Sequence, residues 1–296
     1  MAQNFSTGAQ TAGVLLQTIP QAQQIAIAKE LILRLRSQFD DAAASVVIEL
    51  ISGQDDATLQ GDLLDVLKTR IEGGFPDDVA SLLKSSSNLS SSLVTAAAEF
   101  LADPKTSVNL AADPTTRSSD KAEEDEISNV DPDRQDPSND LAFQWLRFAK
   151  QSVPTDHTSE REDSLFASAL KFLNDTHRST ALAARDMVFS LLPSKTGQNN
   201  LDAVRESISS LISARDAKLQ QTLGYALWMR LLASSDEVDL SSIDLNDDSY
   251  WSPLLSGLRN GDAERRKMCL DILKRSVALA IDQGMPGAVA RKDFGE

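Results

Sequence analysis

Apolar residues recur at steps of three and four along most of the chain, and no run of alternating Val, Ile and Thr reads as a half-buried strand. The pattern predicts an all-α protein. Pro20 suits a first helical position, because it lacks the backbone donor that a first turn leaves unpaired, and Ile25, Ala28, Ile32 and Leu35 follow on one face. A shorter helix carrying Val14, Leu15 and Ile19 is expected before it. Asp40 can cap the next helix, which bears Val47, Leu50 and Ile51 and stops at Gly53. Leu59, Leu63, Leu67 and Ile71 form a stripe ending at Gly73-Gly74. Pro76 with Asp77 and Asp78 opens another helix, and a sixth runs from about Leu89 to Leu101.

The rhythm resumes with Leu141, Trp145 and Phe148, then with Ser159 and Glu162 at the spacing of a capping box ahead of Leu165, Ala169 and Leu173. Further stripes are Leu182, Met187 and Leu191, then Leu201, Val204, Ile208 and Leu211, then Leu219, Leu223, Leu227 and Leu231. The last pair begins at Tyr250-Trp251 and continues from Asp262 through Leu270, Leu273, Val277 and Ile281. Arg266 falls one turn ahead of Leu270 on that stripe, where it would pack its stem inward or reach the neighbouring repeat, and Cys269 falls one residue off it. About a dozen helices joined by short turns, with no sustained heptad, predict a HEAT/armadillo-like α-solenoid of helical hairpins. A compact irregular bundle is the other arrangement this pattern allows.

Between about 104 and 139 the periodicity lapses into Asp, Glu and Ser with prolines at 104, 114, 132 and 137. Such a stretch buries too little apolar surface to offset its ordering entropy, so it is expected to be a disordered acidic linker. The division that follows is N-terminal helical repeats over 1–103, the linker over 104–139 and C-terminal helical repeats over 140–296.

Charge changes the picture less than its total suggests. The chain has 44 acidic and 29 basic residues, a net of −15, yet ten of the acids lie in 113–140 and six more in 234–250. The acidity therefore sits in loops, and it does not exclude nucleic acid as a partner in the way an acidic folded surface would. One cysteine, Cys269, allows no intrachain disulfide and fits a reducing compartment, cytoplasmic or nuclear. Nowhere do apolar residues run for the roughly 18 that a membrane span needs.

Catalytic chemistry finds few footholds. His157 and His177 are the only histidines, and no C-x-x-C, H-x-x-x-H or H-E-x-x-H spacing offers a metal its ligands. No G-x-S-x-G, Walker loop or G-x-G-x-x-G occurs either. The sequence assigns no catalytic, cofactor-binding or metal-binding residue. Its densest set of cations is Arg259, Arg265, Arg266, Lys267, Lys274 and Arg275, interspersed with Asp262, Glu264 and Asp271. These six are the candidate contacts for RNA or for a protein partner. Asp271 stands within one helical turn of Lys267, Lys274 and Arg275, so part of this charge is expected to pair along the helix.

The same window carries a family likeness. Tyr250-Trp251, Leu254-Leu255, Gly257-Leu258, then Glu264, Arg265 or Arg266, Lys267, Leu270, Leu273, Lys274 and Val277 form a segment of about 28 residues. It resembles a helix pair in the N-terminal helical region of eukaryotic tRNA (guanosine-18-2′-O)-methyltransferases, the group that includes the TAR-RNA-binding methyltransferase. The resemblance implies a larger protein whose knotted C-terminal domain binds S-adenosylmethionine, while the helical part contributes to tRNA engagement or architecture. Nothing like that domain occurs before Glu296, so the expectation is a truncated chain, a partial reading of a gene or a free-standing helical portion, without methyltransferase chemistry of its own. A protein-interaction scaffold unrelated to RNA is the alternative.

Overall fold

The structure, a computed structural model, describes residues 18–52, 56–103, 141–153, 160–194, 198–214, 217–234 and 248–282. These form twelve α-helices with two short 3₁₀ turns and, among the described residues, no strand. The predicted helix around Val14 and Leu15, the acidic stretch 104–139 and His157 lie outside the described residues. The helices divide into two compact units, described in turn.

The first unit contains α1 (Gln21–Ser37), α2 (Asp41–Ser52), α3 (Ala57–Glu72), α4 (Pro76–Leu82), α5 (Ser87–Ala102) and α6 (Leu141–Ser152). Its local signals act as the sequence implies. The Asp40 carboxylate accepts from the Ala43 backbone N–H at 2.9 Å, and Asp56 accepts from Thr58 and Leu59, both at 3.1 Å. Each cap satisfies donors that the first turn leaves over. Ala28, Ile32 and Leu35 of α1, Val47, Leu50 and Ile51 of α2, and Leu59, Leu63, Leu67 and Ile71 of α3 are all buried. Helix α1 packs on α2 and α3.

Helix α6 belongs here, with α3, α4 and α5 against it. This moves the expected boundary: the second set of helices starts after residue 153 and not at 140. The cause is the aromatic face of α6, where Trp145 and Phe148 are buried and the Trp145 ring lies 6.0 Å from that of Phe100 on α5. Arg147 adds an ion pair to Asp77, in the first turn of α4.

Helix α3 ends in a Schellman turn. Gly74 has φ 96°, the left-handed region, while the N–H of Gly74 donates to Ile71 O at 3.0 Å and that of Phe75 to Arg70 O at 3.2 Å. The clasp that usually joins the residues at those two ends is apolar. Here it is a cation on a ring, since the Arg70 guanidinium lies 3.3 Å from the Phe75 ring centre and 4.8 Å from that of Phe39. Asp78 stands 3.6 Å from the same guanidinium.

The second unit contains α7 (Glu160–Phe172), α8 (Arg178–Leu191), α9 (Gln198–Ser213), α10 (Lys218–Ala233), α11 (Asp248–Leu258) and α12 (Ala263–Asp282). Successive pairs pack together, α7 on α8, α9 on α10 and α11 on α12, and the pairs are joined by α7 on α9, α8 on α10 and α10 on α12. The α9–α10 crossing is tight at Gly224, where a Cβ would stand 2.8 Å from Ile212 Cγ1 and 3.0 Å from Leu211 Cβ. Leu201, Val204, Ile208 and Leu211 of α9 are buried, as are Leu223, Leu227 and Leu231 of α10.

Replacing Gly74 by Ala places a Cβ in the left-handed conformation, at a cost of about 1–2 kcal/mol. A lowered melting temperature and urea midpoint are expected. A Gly73→Ala control should cost less, because Gly73 has φ −76°. Equal melting of the wild type and Gly74→Ala would refute the role given to this turn.

Candidate interaction site on the last helical hairpin

The turn between α11 and α12 is built from its own polar side chains. Asn260 N–H donates to Gly257 O at 3.1 Å, Asp262 N–H to Asn260 Oδ1 at 2.9 Å, and Glu264 N–H to Asp262 Oδ1 at 2.9 Å. Asp262 is thus the cap of α12, and Lys218 of α10 reaches its other oxygen at 3.1 Å. The Lys218 ammonium, then the Arg265 and Glu264 backbone donors, hold the Asp262 carboxyl below the usual carboxylate range.

The inward face of α12 is one residue out of step with the expected stripe. Arg265, Cys269, Ile272, Ser276 and Ala280 are buried, whereas Arg266 is exposed, Leu270 is 46% exposed and Ile281 59%. Both sets share the same spacing, so periodicity alone cannot choose between them; an offset of one residue turns the helix by about 100°. Small side chains decide it. Gly257 of α11 is buried where that helix crosses α10 and α12, and a Cβ on it would stand 2.6 Å from the Tyr225 hydroxyl and closer still to Cys269 Sγ. Only a narrow residue such as cysteine fits α12 at that crossing.

Polar groups line the same interior. The Tyr225 hydroxyl donates to Pro253 O at 3.0 Å, within α11. The Trp228 indole N–H donates to the Tyr250 hydroxyl at 3.3 Å, the Tyr250 hydroxyl stands 2.6 Å from Ser276 Oγ, and Ser276 Oγ donates to Ile272 O at 2.8 Å. With the serine proton committed to Ile272, Tyr250 is the donor to Ser276, giving a relay across three helices. Tyr250 also packs edge-on against Trp228 and Trp251, at 5.1 and 5.0 Å between ring centres. Burial pushes the Cys269 thiol up to about 11 and, with Cys269 beside it, the Tyr225 hydroxyl up to about 12. A thiol so held is protonated at neutral pH and is a packing group, not a nucleophile.

The six candidate cations separate accordingly. Arg265 is only 7% exposed; it donates to the Gln221 side chain through Nη1 and to Lys218 O at 3.4 Å through Nη2, and its Nε is buried without a partner. It joins α12 to the first turns of α10 and is withdrawn from any ligand. Arg266, expected to pack its stem inward or to reach the neighbouring repeat, is exposed and folds back to Asn260 O at 2.7 Å. Lys274 pairs with Asp271 at 3.6 Å. Arg259, Lys267 and Arg275 are exposed. On a helical wheel Arg266 heads the stripe of Leu270, Leu273, Val277 and Ile281, Lys267 and Lys274 border one side of it, and Arg275 lies farther round on that same side, turned away from the stripe.

A cavity of about 540 Å³ in the first unit lies among Leu35, Arg36, Phe39, Val66, Arg70 and Phe75. Of its two guanidinium groups, that of Arg70 is stacked in the α3 turn and that of Arg36 is occupied by Asp62 at 2.8 Å. His177 precedes α8, where its backbone N–H donates to the buried Asp175 carboxylate at 2.8 Å and its Nδ1 stands 3.2 Å from the same oxygen. Among the described residues no group of His, Cys, Asp and Glu could hold a metal ion, and no helix is long and apolar enough to cross a membrane.

No protein-family model, curated protein or solved structure matches the chain. The likeness noted in residues 250–277 therefore rests on those residues alone. Several of them (Trp251, Leu254, Gly257 and Arg265) are packing groups of this hairpin.

Gly257→Ala is expected to destabilise the second unit by about 1–3 kcal/mol through overpacking, with partial rescue in the Gly257→Ala/Cys269→Ala double variant. Thermal unfolding of the three proteins would measure it, and a fully stable single variant would disprove the close crossing.

Alkali should act through the same thiol. A folded-state value raised from 9.0 to about 11 means that its contribution is intact below pH 9 and is lost as pH rises toward 11. The stability difference between the wild type and Cys269→Ala should then change between pH 7 and pH 10.5 in the direction that disfavours the wild type. Urea midpoints that differ by the same amount at both pH values would contradict it.

Proposed function

We propose that the chain is a binding module built as a HEAT/armadillo-like α-solenoid, with α7–α8, α9–α10 and α11–α12 as stacked hairpins and the outer face of α12 as a contact surface for a protein partner. The observation that carries the reading is the offset of α12, which leaves Leu270 and Ile281 in solvent beside exposed cations. A repeat buries its inner stripe against its neighbour and offers its outer face to something else. The second-neighbour packing α7–α9, α8–α10 and α10–α12 supports the stacked arrangement. On this reading the chain does its work by holding, and no residue is assigned a chemical step. S-adenosylmethionine belongs, by the resemblance, to a domain other than these helices, and no residue here is assigned to it.

A second reading has one observation in its favour: Arg266, Lys267 and Arg275 are exposed on one helix, and such cations suit the phosphates of tRNA. The two are separated by titrating tRNA at two salt concentrations against the wild type and the Arg266→Ala/Lys267→Ala/Arg275→Ala variant. Weak binding, with a salt slope unaltered by the triple substitution, is expected. A steep slope that flattens by about one for each phosphate contact removed would install the RNA reading instead.

A further inference from the structure

We propose that the outer face of α12 receives an acidic amphipathic helix from a partner protein. The proposal rests on the scaffold reading above and adds the chemistry of what is held.

The face has a direction. Leu270, Leu273, Val277 and Ile281 succeed one another at steps of three, four and four, the outer two exposed and the inner two half-buried. At 1.5 Å per residue the stripe runs about 16 Å, or three turns, which suits a second helix laid along it. Exposed aliphatic carbon gains by burial against carbon, about 25 cal/mol for each Å² removed from water. A nucleic acid backbone offers phosphate and ribose there, and no exposed aromatic ring on α12 is placed to stack a base.

The border sets the sign of the partner. Arg266 stands at the start of the stripe and Lys267 and Lys274 along one side, with Asp271 taking part of the Lys274 charge at 3.6 Å. Glu or Asp flanking the apolar face of an incoming helix would meet these cations. A second copy of this chain would bring the same cations to the same face, so self-association through this stripe is opposed locally.

The test uses the full chain and labelled synthetic helical peptides of about five turns, one with a Leu stripe flanked by Glu and one with the same stripe flanked by Lys. Fluorescence anisotropy is expected to show saturable binding of the Glu peptide, weakened by salt, and about tenfold looser for Leu270→Glu/Ile281→Glu. Lys267→Glu/Lys274→Glu should also weaken it and should favour the Lys peptide. All four positions are exposed, so melting temperatures should stay within a degree or two of the wild type. Equal binding of both peptides, or Glu-peptide binding untouched by Leu270→Glu/Ile281→Glu, would overturn the α12 site; in the latter case the scaffold reading stands with its surface elsewhere. No peptide binding together with salt-dependent tRNA binding that Lys267→Glu/Lys274→Glu abolishes would overturn both.

Discussion

The crossing of α11 over α12 at Gly257 and Cys269 fixes which side of the last helix the protein keeps. With no Cβ at 257, α11 comes near enough for Cys269 to lie directly beneath it and for the Tyr225 hydroxyl to reach Pro253 O. Arg265 and Ser276, one turn before and about two turns after Cys269, must then also face inward, and each meets a polar partner there. Everything distinctive about the outer surface follows from this. The aliphatic residues that a wheel would assign to the core are left outside because the narrow, partly polar face has taken the inside.

That choice looks unfavourable if apolar burial is the only currency. A stripe of Leu, Leu, Val and Ile would bury more carbon than Arg, Cys, Ile, Ser and Ala. Yet a leucine in place of Cys269 would collide with Gly257 and Tyr225, and the Trp228–Tyr250–Ser276 relay would lose its acceptor. Close packing between three helices and the satisfaction of buried donors outrank gross hydrophobicity at this junction.

Much of the helical framework was legible in the sequence because its signals are local. Asp40, Pro76 and Asp262 stand where the chain enters helices, Gly73-Gly74 stands where it leaves one, and the stripes of α1, α3 and α9 point inward as their spacing implies. The misses are tertiary. Helix α6 follows a long gap in sequence but sides with the first unit, a choice made by Phe100 and by Asp77, which lies 70 residues from Arg147. The six cations could be named from the sequence, but not their division into buried Arg265 and exposed Arg266, since two stripes of equal period can be told apart only by what they pack against. The signal that could have separated them was Gly257, a small residue whose neighbour across the crossing must also be small.

Helix α10 occupies a different position from every other member of the second unit. It packs against α8, α9 and α12, and eight of its residues, from Gln220 to Leu232, are buried. A polypeptide with such a shared middle element cannot shed one end piece by piece, because any loosening of α10 withdraws support from three helices at once. Variation in this protein should therefore be graded by distance from α10 more than by distance from either terminus: the outer face of α12 can drift in sequence, while the helix behind it is held to a nearly fixed shape.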